Sequence, residues 1–77
     1  MMKALMETIV KSLVDRSESV VIREVKGERI TVLELQVAKE DLGKVIGKKG
    51  RNAQALRTVL AAASATSGQR YVLEIID

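Results

Sequence analysis

The chain has 77 residues and a formal net charge of +3, and it contains no cysteine, histidine or proline. This length suits one small domain with a modest core, which we expect to span residues 1–77. Without cysteine and histidine, thiol nucleophiles, Ser-His or Cys-His catalysis, disulfides and the usual zinc sites are excluded. We therefore expect neither an enzyme nor a cofactor. No signal peptide or membrane span is visible in the sequence, which favours a cytoplasmic protein.

The first half of the chain predicts a helix followed by a β-hairpin. Apolar residues recur there at helical spacing, namely Met2, Leu5, Met6, Ile9, Val10 and Leu13. The β-branched run 20–25 predicts a strand, and residues 30–37 predict a second strand that places Leu33, Leu35 and Val37 on one face. Because the link 26–29 is short and contains Gly27, an antiparallel hairpin is the simplest arrangement.

The second half predicts two helices and a third strand. A short helix is expected from about Lys39, with Glu40 and Asp41 placed favourably at its N-terminal dipole. A longer helix is expected over residues 51–66, with inward positions at Ala53, Leu56, Val59, Leu60 and Ala63. Gly68 is a plausible cap, and residues 70–76 form the last strand. The expected fold is α+β, a two-layer arrangement of a three-stranded sheet packed on one side by three helices.

The segment Gly47-Lys48-Lys49-Gly50 between the two later helices is the most informative motif. A helix that ends at Ile46 needs a following residue that tolerates positive φ, and Gly47 supplies it. Gly50 lets the backbone turn into the next helix, whose first N–H groups have no partner inside the helix. Such a junction favours a phosphate, and the two lysines add positive charge.

The charge distribution points to the same loop. Between Leu42 and Leu73 there is no acidic residue, whereas residues 1–41 hold seven basic and eight acidic residues. A concentrated positive field is typical of a surface that binds a polyanion. Helical spacing places one of Val45 and Ile46 in the core, and we favour Ile46 as the one near a ligand. The predicted nucleic-acid-binding residues are Lys44, Ile46, Gly47, Lys48, Lys49, Gly50, Arg51 and Gln54, and Arg57 is a further candidate for the basic rim.

The element order and the Val-Ile-Gly-Lys-Lys-Gly run together resemble a K-homology (KH) domain of the bacterial type II topology. Four segments are similar to the short single-KH proteins of bacteria, the KhpA-like family: Ile9-Val10-Lys11, Glu34-Leu35-Gln36-Val37, Asp41 to Gly50 and Leu56-Arg57-Thr58. A His-Pro pair that is common in the family is missing near Arg16-Ser17, in a loop that we expect to lie away from the groove.

The resemblance implies a module without catalysis that grips about four nucleotides of single-stranded RNA or DNA. The loop Gly47 to Gly50 would hold the backbone, and a groove between the flanking helices and the second strand would receive the bases. It also implies self-association and pairing with a larger KH-containing protein of the KhpB or Jag type. That pair is linked to RNA chaperoning and to control of the cell wall and cell length.

Two alternative functions remain open at the level of the sequence. One is a protein–protein adaptor with residual RNA binding. The other keeps the groove but takes single-stranded DNA as its ligand. No residue visibly reads the 2′-hydroxyl, which distinguishes RNA from DNA.

Overall fold

The computed structural model of the chain describes residues 2–76 and has the predicted order of elements. The helices are α1 (Met2–Leu13), α2 (Leu42–Ile46) and α3 (Arg51–Ser64), and the strands are β1 (Val21–Lys26), β2 (Ile30–Gln36) and β3 (Arg70–Ile76). Short 3₁₀ turns at Ser17–Ser19, Lys39–Asp41 and Lys48–Gly50 connect them. The order α-β-β-α-α-β that is expected of a type II KH domain is confirmed.

The three strands form one sheet in the order β1-β2-β3. The predicted antiparallel hairpin is confirmed, with Ile22 opposite Leu35, and the N–H of Gly27 donates to the Ile30 carbonyl over 2.8 Å in the turn. β3 pairs with β2 in the parallel direction, with Leu33 opposite Leu73. A parallel pair needs a long crossover, which here consists of α2, the glycine loop and α3. β3 is therefore an edge strand, and its second edge has no strand partner within residues 2–76.

The core lies between one face of the sheet and the three helices. Leu33 and Leu35 of β2 are fully buried, as predicted from the alternation of that strand. The other core residues come from the three helices, the two outer strands and the connection before β1, and they are Met6, Val10, Val20, Ile22, Val45, Leu56, Leu60 and Leu73. The opposite face of the sheet is open and carries charged side chains together with exposed apolar ones, among them Val21, Val25, Ile30 and Ile76.

The prediction for α3 was wrong at its C-terminal end and at one inward position. The helix ends at Ser64, and the chain reaches β3 through a turn in which Gly68 has a φ of 75°. Val59 is 40% exposed, although it was assigned to the core. Leu56 and Leu60 lie one turn apart and share the sheet-facing stripe, so Val59 is rotated out of it.

None of the helices within residues 2–76 is long and apolar enough to cross a bilayer.

Candidate nucleic-acid interface

Gly47 makes the sharp turn at the end of α2. Its N–H donates to the Gly43 carbonyl over 2.8 Å, and its backbone has φ 76° and ψ 172°, a region that is essentially restricted to glycine. A Cβ at this position would lie 2.7 Å from Cγ and 2.9 Å from the backbone nitrogen of Asn52. Gly47 is therefore required twice, for its backbone conformation and for the close approach of α3.

The loop continues through two residues in the left-handed conformation, Lys49 (φ 58°) and Gly50 (φ 73°). The N–H of Gly50 donates to the Gly47 carbonyl over 3.1 Å, which closes the turn. A left-handed lysine costs about 1–2 kcal/mol relative to an ordinary conformation. The side chains of Lys48, Lys49 and Arg51 are all exposed, and no carboxylate of residues 2–76 lies within 4.0 Å of their charged nitrogens. The loop therefore presents uncompensated positive charge to solvent.

Asn52 fixes the position of the loop and was missed from the sequence. Its side-chain nitrogen Nδ2 donates to the carbonyl of Lys44 over 2.8 Å, so it joins the last turn of α2 to the first turn of α3. This bond also satisfies a carbonyl that the short helix leaves without a partner. A polar residue in the first turn of a helix is too common to reveal such a role in the sequence.

An apolar depression of about 320 Å³ lies beside the loop. Leu42 and Ile46 of α2 form one wall, Ala53 and Arg57 of α3 form the floor and second wall, and Ile75 of β3 borders it. The sequence prediction placed the second strand at this groove. The bordering strand is β3 instead, because β3 is the edge strand on which α3 packs.

The two consecutive aliphatic residues at the end of α2 have separate positions. Val45 is fully buried in the core, whereas Ile46 is 38% exposed and lines the depression. Helical spacing predicted that one of the two is buried, and Ile46 was the residue favoured to lie outside the core.

A polar surface continues from the loop along the exposed side of α3. Gln54 and Arg57 lie there beside Lys49 and Gly50, around a second shallow depression. Nη2 of Arg57 donates to the Leu73 carbonyl over 3.5 Å, the upper limit for a hydrogen bond. The guanidinium group has five N–H donors, so several remain for a ligand.

Lys44, another predicted site residue, lines neither the apolar depression nor the polar one. Its amino group forms an ion pair with Asp15 in the link between α1 and β1, and it lies 3.9 Å from Oδ1 of Asp41. The Lys44 side chain is still 47% exposed in this ion pair. Its contact with a ligand stays a prediction.

Asp41 anchors α2 and does not cap it. The side chain is 1% exposed and accepts hydrogen bonds from the backbone N–H groups of Arg16 (2.9 Å) and Asp15 (3.3 Å). No side-chain cap is formed at the start of α2, but Glu40 and Asp41 lie at its N-terminal end, as predicted for the helix dipole. Glu40 pairs instead with Arg16 at 3.3 Å. The acidic pair therefore holds the α1–β1 link against α2.

The pKa values of this cluster are shifted in the direction that keeps both partners charged. The N–H of Arg16 lowers the pKa of Asp41 below its ordinary value of 3.8, although burial opposes the shift. The hydrogen bond to Asp15 raises the pKa of Lys44 above its ordinary value of 10.5. Asp41 and Lys44 are thus both ionised throughout the neutral pH range.

Comparison with known proteins agrees with the geometry. The profile of the KhpA/KhpB KH-domain family matches residues 3–75. RNA-binding protein KhpA of Clostridium acetobutylicum is 57% identical over 75 residues, which are 97% of this chain and 100% of that protein. RNA-binding protein KhpA of Treponema pallidum is 51% identical over 77 residues, which are 100% of this chain and 96% of that protein. No solved structure matches the chain. The chain belongs to the KhpA/KhpB family of KH domains.

Proposed function

We propose that this protein binds single-stranded RNA without catalysis, holding the RNA backbone at Gly47–Gly50 and the bases in the adjacent apolar depression. The observation that carries the proposal is the juxtaposition of an open glycine turn, uncompensated positive charge and an apolar groove within one short segment. Its relatives in Clostridium and Treponema are named RNA-binding proteins, which supports RNA as the ligand.

The roles of the site residues follow from their chemistry. Gly47 and Gly50 allow a phosphate to approach the backbone closely, and Lys48 and Lys49 neutralise its charge. Contacts of this kind provide affinity with little sequence information. Ile46 offers an aliphatic surface to a base.

Further polar contacts come from α3. Arg51 and Arg57 add positive charge along the path of the RNA. The amide of Gln54 offers donors and an acceptor to the edge of a base. The apolar depression has no aromatic residue on which bases stack. Affinity from one domain should therefore be modest. We expect a micromolar dissociation constant, which corresponds to a binding free energy of about −8 kcal/mol.

Weak single-domain binding fits a role as an RNA chaperone or post-transcriptional regulator in the cytoplasm. Loose contacts with many RNAs would be strengthened by self-association or by pairing with a larger KH-containing protein of the KhpB or Jag type. Joining two weak sites raises overall affinity without any new contact to RNA.

A protein–protein adaptor is the second candidate function, and one feature favours it. A shallow apolar depression of about 150 Å³ lies on the other side of α3, lined by Ile9, Leu13, Ala55 and Val59. Val59 is 40% exposed there, so its apolar side chain is accessible to a protein partner. If assembly is the main role, charge reversal at Lys48 and Lys49 will leave partner binding and cellular phenotype intact.

Chemical-shift mapping separates these functions. Titrating ¹⁵N-labelled protein with a six-nucleotide single-stranded RNA should shift the amides of residues 46–54 most strongly. Shifts confined to Ile9, Leu13 and Val59, with none in the loop, would contradict the proposed site. A matched DNA oligomer in competition identifies the preferred ligand, since stronger competition by DNA would transfer the function to single-stranded DNA.

A further inference from the structure

A second groove, larger than the apolar depression, runs along the C-terminal half of α3. It has a volume of about 660 Å³ and lies between α3 and β3, with the turn that joins them at its far end. Its helical wall includes the small residues Ala61, Ser64 and Ala65, which leave the space open. Tyr71 of β3 lies on the opposite wall and is half-buried.

The groove adjoins the candidate interface, since Arg57 lines both. Arg57 also borders the polar depression beside Lys49, so it lies where the three hollows meet. An RNA strand that runs from the glycine loop along α3 would therefore pass the Arg57 guanidinium and reach the larger groove.

The far part of the groove carries two more arginines, Arg29 and Arg70. They are brought together by the backbone, since the N–H of Arg70 donates to the Arg29 carbonyl over 2.9 Å. Both side chains are exposed, and neither forms an ion pair with a carboxylate of residues 2–76, Glu28 beside Arg29 included. Charge of one sign without compensation is the pattern that binds a phosphodiester backbone.

One polar group on the wall lacks a partner. Gln69 lines the groove, and its Oε1 is buried with no hydrogen-bond donor among the described residues. Buried polar atoms in folded proteins are rarely left in this state. A nucleotide hydroxyl or exocyclic amine would supply the missing donor if the side chain moved out of the wall and gave up the bond from its Nε2 to the Gly27 carbonyl.

We propose that RNA bound at the glycine loop continues into this arginine groove, with its backbone at Arg29 and Arg70 and a base against Tyr71. The inference rests on the proposed function and extends its footprint. From Arg57 to Ala65 the helix rises about 12 Å, which gives room for further nucleotides beyond the glycine loop. The footprint therefore exceeds the four nucleotides that the loop holds.

Randomised RNAs of four and eight nucleotides test the footprint by fluorescence anisotropy. Two added phosphate contacts steepen the salt slope by about 1.4, so raising salt from 50 to 200 mM should weaken eight-nucleotide binding about sevenfold more than four-nucleotide binding. A longer RNA also offers more binding registers, which raise affinity but leave the salt slope unchanged. The slope therefore distinguishes new contacts from added registers.

The variant Arg29→Ala/Arg70→Ala should lose the additional slope with the longer RNA and bind the shorter RNA as wild type does. Its control is Lys3→Ala/Lys11→Ala, which removes the same charge from exposed positions of α1 that line neither groove. The control should behave as wild type with both RNAs. Equal slopes for Arg29→Ala/Arg70→Ala and the control would overturn the inference.

Tyr71 provides an independent readout. Phenylalanine, tryptophan and histidine are absent, so every aromatic ¹³C–¹H signal of labelled protein belongs to Tyr71. Its signals should shift with the eight-nucleotide RNA and remain in place with the four-nucleotide RNA. An unshifted ring while loop amides respond to the longer RNA would overturn the arginine groove alone. Absence of binding to both RNAs would overturn the proposed function as well.

Discussion

The two glycines of the loop should differ sharply in their tolerance of alanine. At Gly47 a Cβ would lie 2.7 Å from Cγ and 2.9 Å from the backbone nitrogen of Asn52, and the backbone conformation is unfavourable for any other residue. At Gly50 a Cβ would meet no atom within 4 Å apart from its neighbours in the chain, so only the left-handed conformation opposes the substitution. The pair is a matched comparison within one turn.

The expected magnitudes follow from these two environments. Gly47→Ala combines backbone strain of about 1–3 kcal/mol with overpacking of about 1–3 kcal/mol, so we expect a loss of about 3 kcal/mol or more. Gly50→Ala costs about 1–2 kcal/mol for the left-handed residue, partly offset by about 0.4–1 kcal/mol from a less flexible unfolded chain. We therefore expect a net loss of about 1 kcal/mol at Gly50. A domain of this length has a free energy of unfolding of about 4–12 kcal/mol, so Gly47→Ala removes a large fraction of it.

Urea unfolding followed by circular dichroism at 222 nm measures both losses, since the chain has no tryptophan to report by fluorescence. Gly47→Ala should unfold at a clearly lower urea concentration than Gly50→Ala. Equal midpoints, or a larger loss for Gly50→Ala, would refute the argument that Gly47 is fixed by contact with Asn52.

Three further predictions concern the helices around the loop. Asn52→Ala should cost about 1 kcal/mol by removing the bond to the Lys44 carbonyl, measured by urea unfolding, and unchanged stability would contradict that role. Val45→Ala should cost about 2 kcal/mol because Val45 is fully buried, whereas Ile46→Ala should leave stability nearly unchanged and weaken RNA binding in anisotropy titrations. Because the folded-state pKa of Asp41 is lowered, its ionised form adds stability above pH 3.8 that disappears as pH falls through the lowered pKa. The stability difference between wild type and Asp41→Asn should therefore narrow in acid melts, and a constant difference down to low pH would contradict it. The raised pKa of Lys44 acts in the opposite sense, with its contribution present below pH 10.5 and lost as pH rises through the higher value.

Local patterns predicted the features that depend on neighbouring residues. Gly47 and Gly50 were identified because only glycine readily adopts the required backbone conformation, and Leu33 and Leu35 because strand alternation places them on one face. Helical spacing placed one of Val45 and Ile46 in the core but did not decide which of the two it is.

Features that depend on distant parts of the chain were not predictable in this way. Lys44 pairs with Asp15, which lies 29 residues away, and no local pattern reveals that contact. Ile75 borders the apolar depression because β3 is an edge strand that pairs in parallel with β2. Neither the strand order nor the direction of β3 was specified by the sequence. Val59 was misassigned because apolar character alone does not distinguish the two sides of a helix that packs on both a sheet and another helix.

The central claim is that the loop Gly47–Gly50 binds RNA through its backbone. Anisotropy titration of Lys48→Asp/Lys49→Asp at several salt concentrations tests it most directly, with Lys3→Asp/Lys11→Asp as a control of equal charge. Wild type and control should show a salt slope of about −2 to −3, as three or four single-strand phosphate contacts predict. The loop variant, folded by circular dichroism, should lose most of its affinity. Equal affinity of the loop variant and the control would contradict the claim and favour the adaptor function.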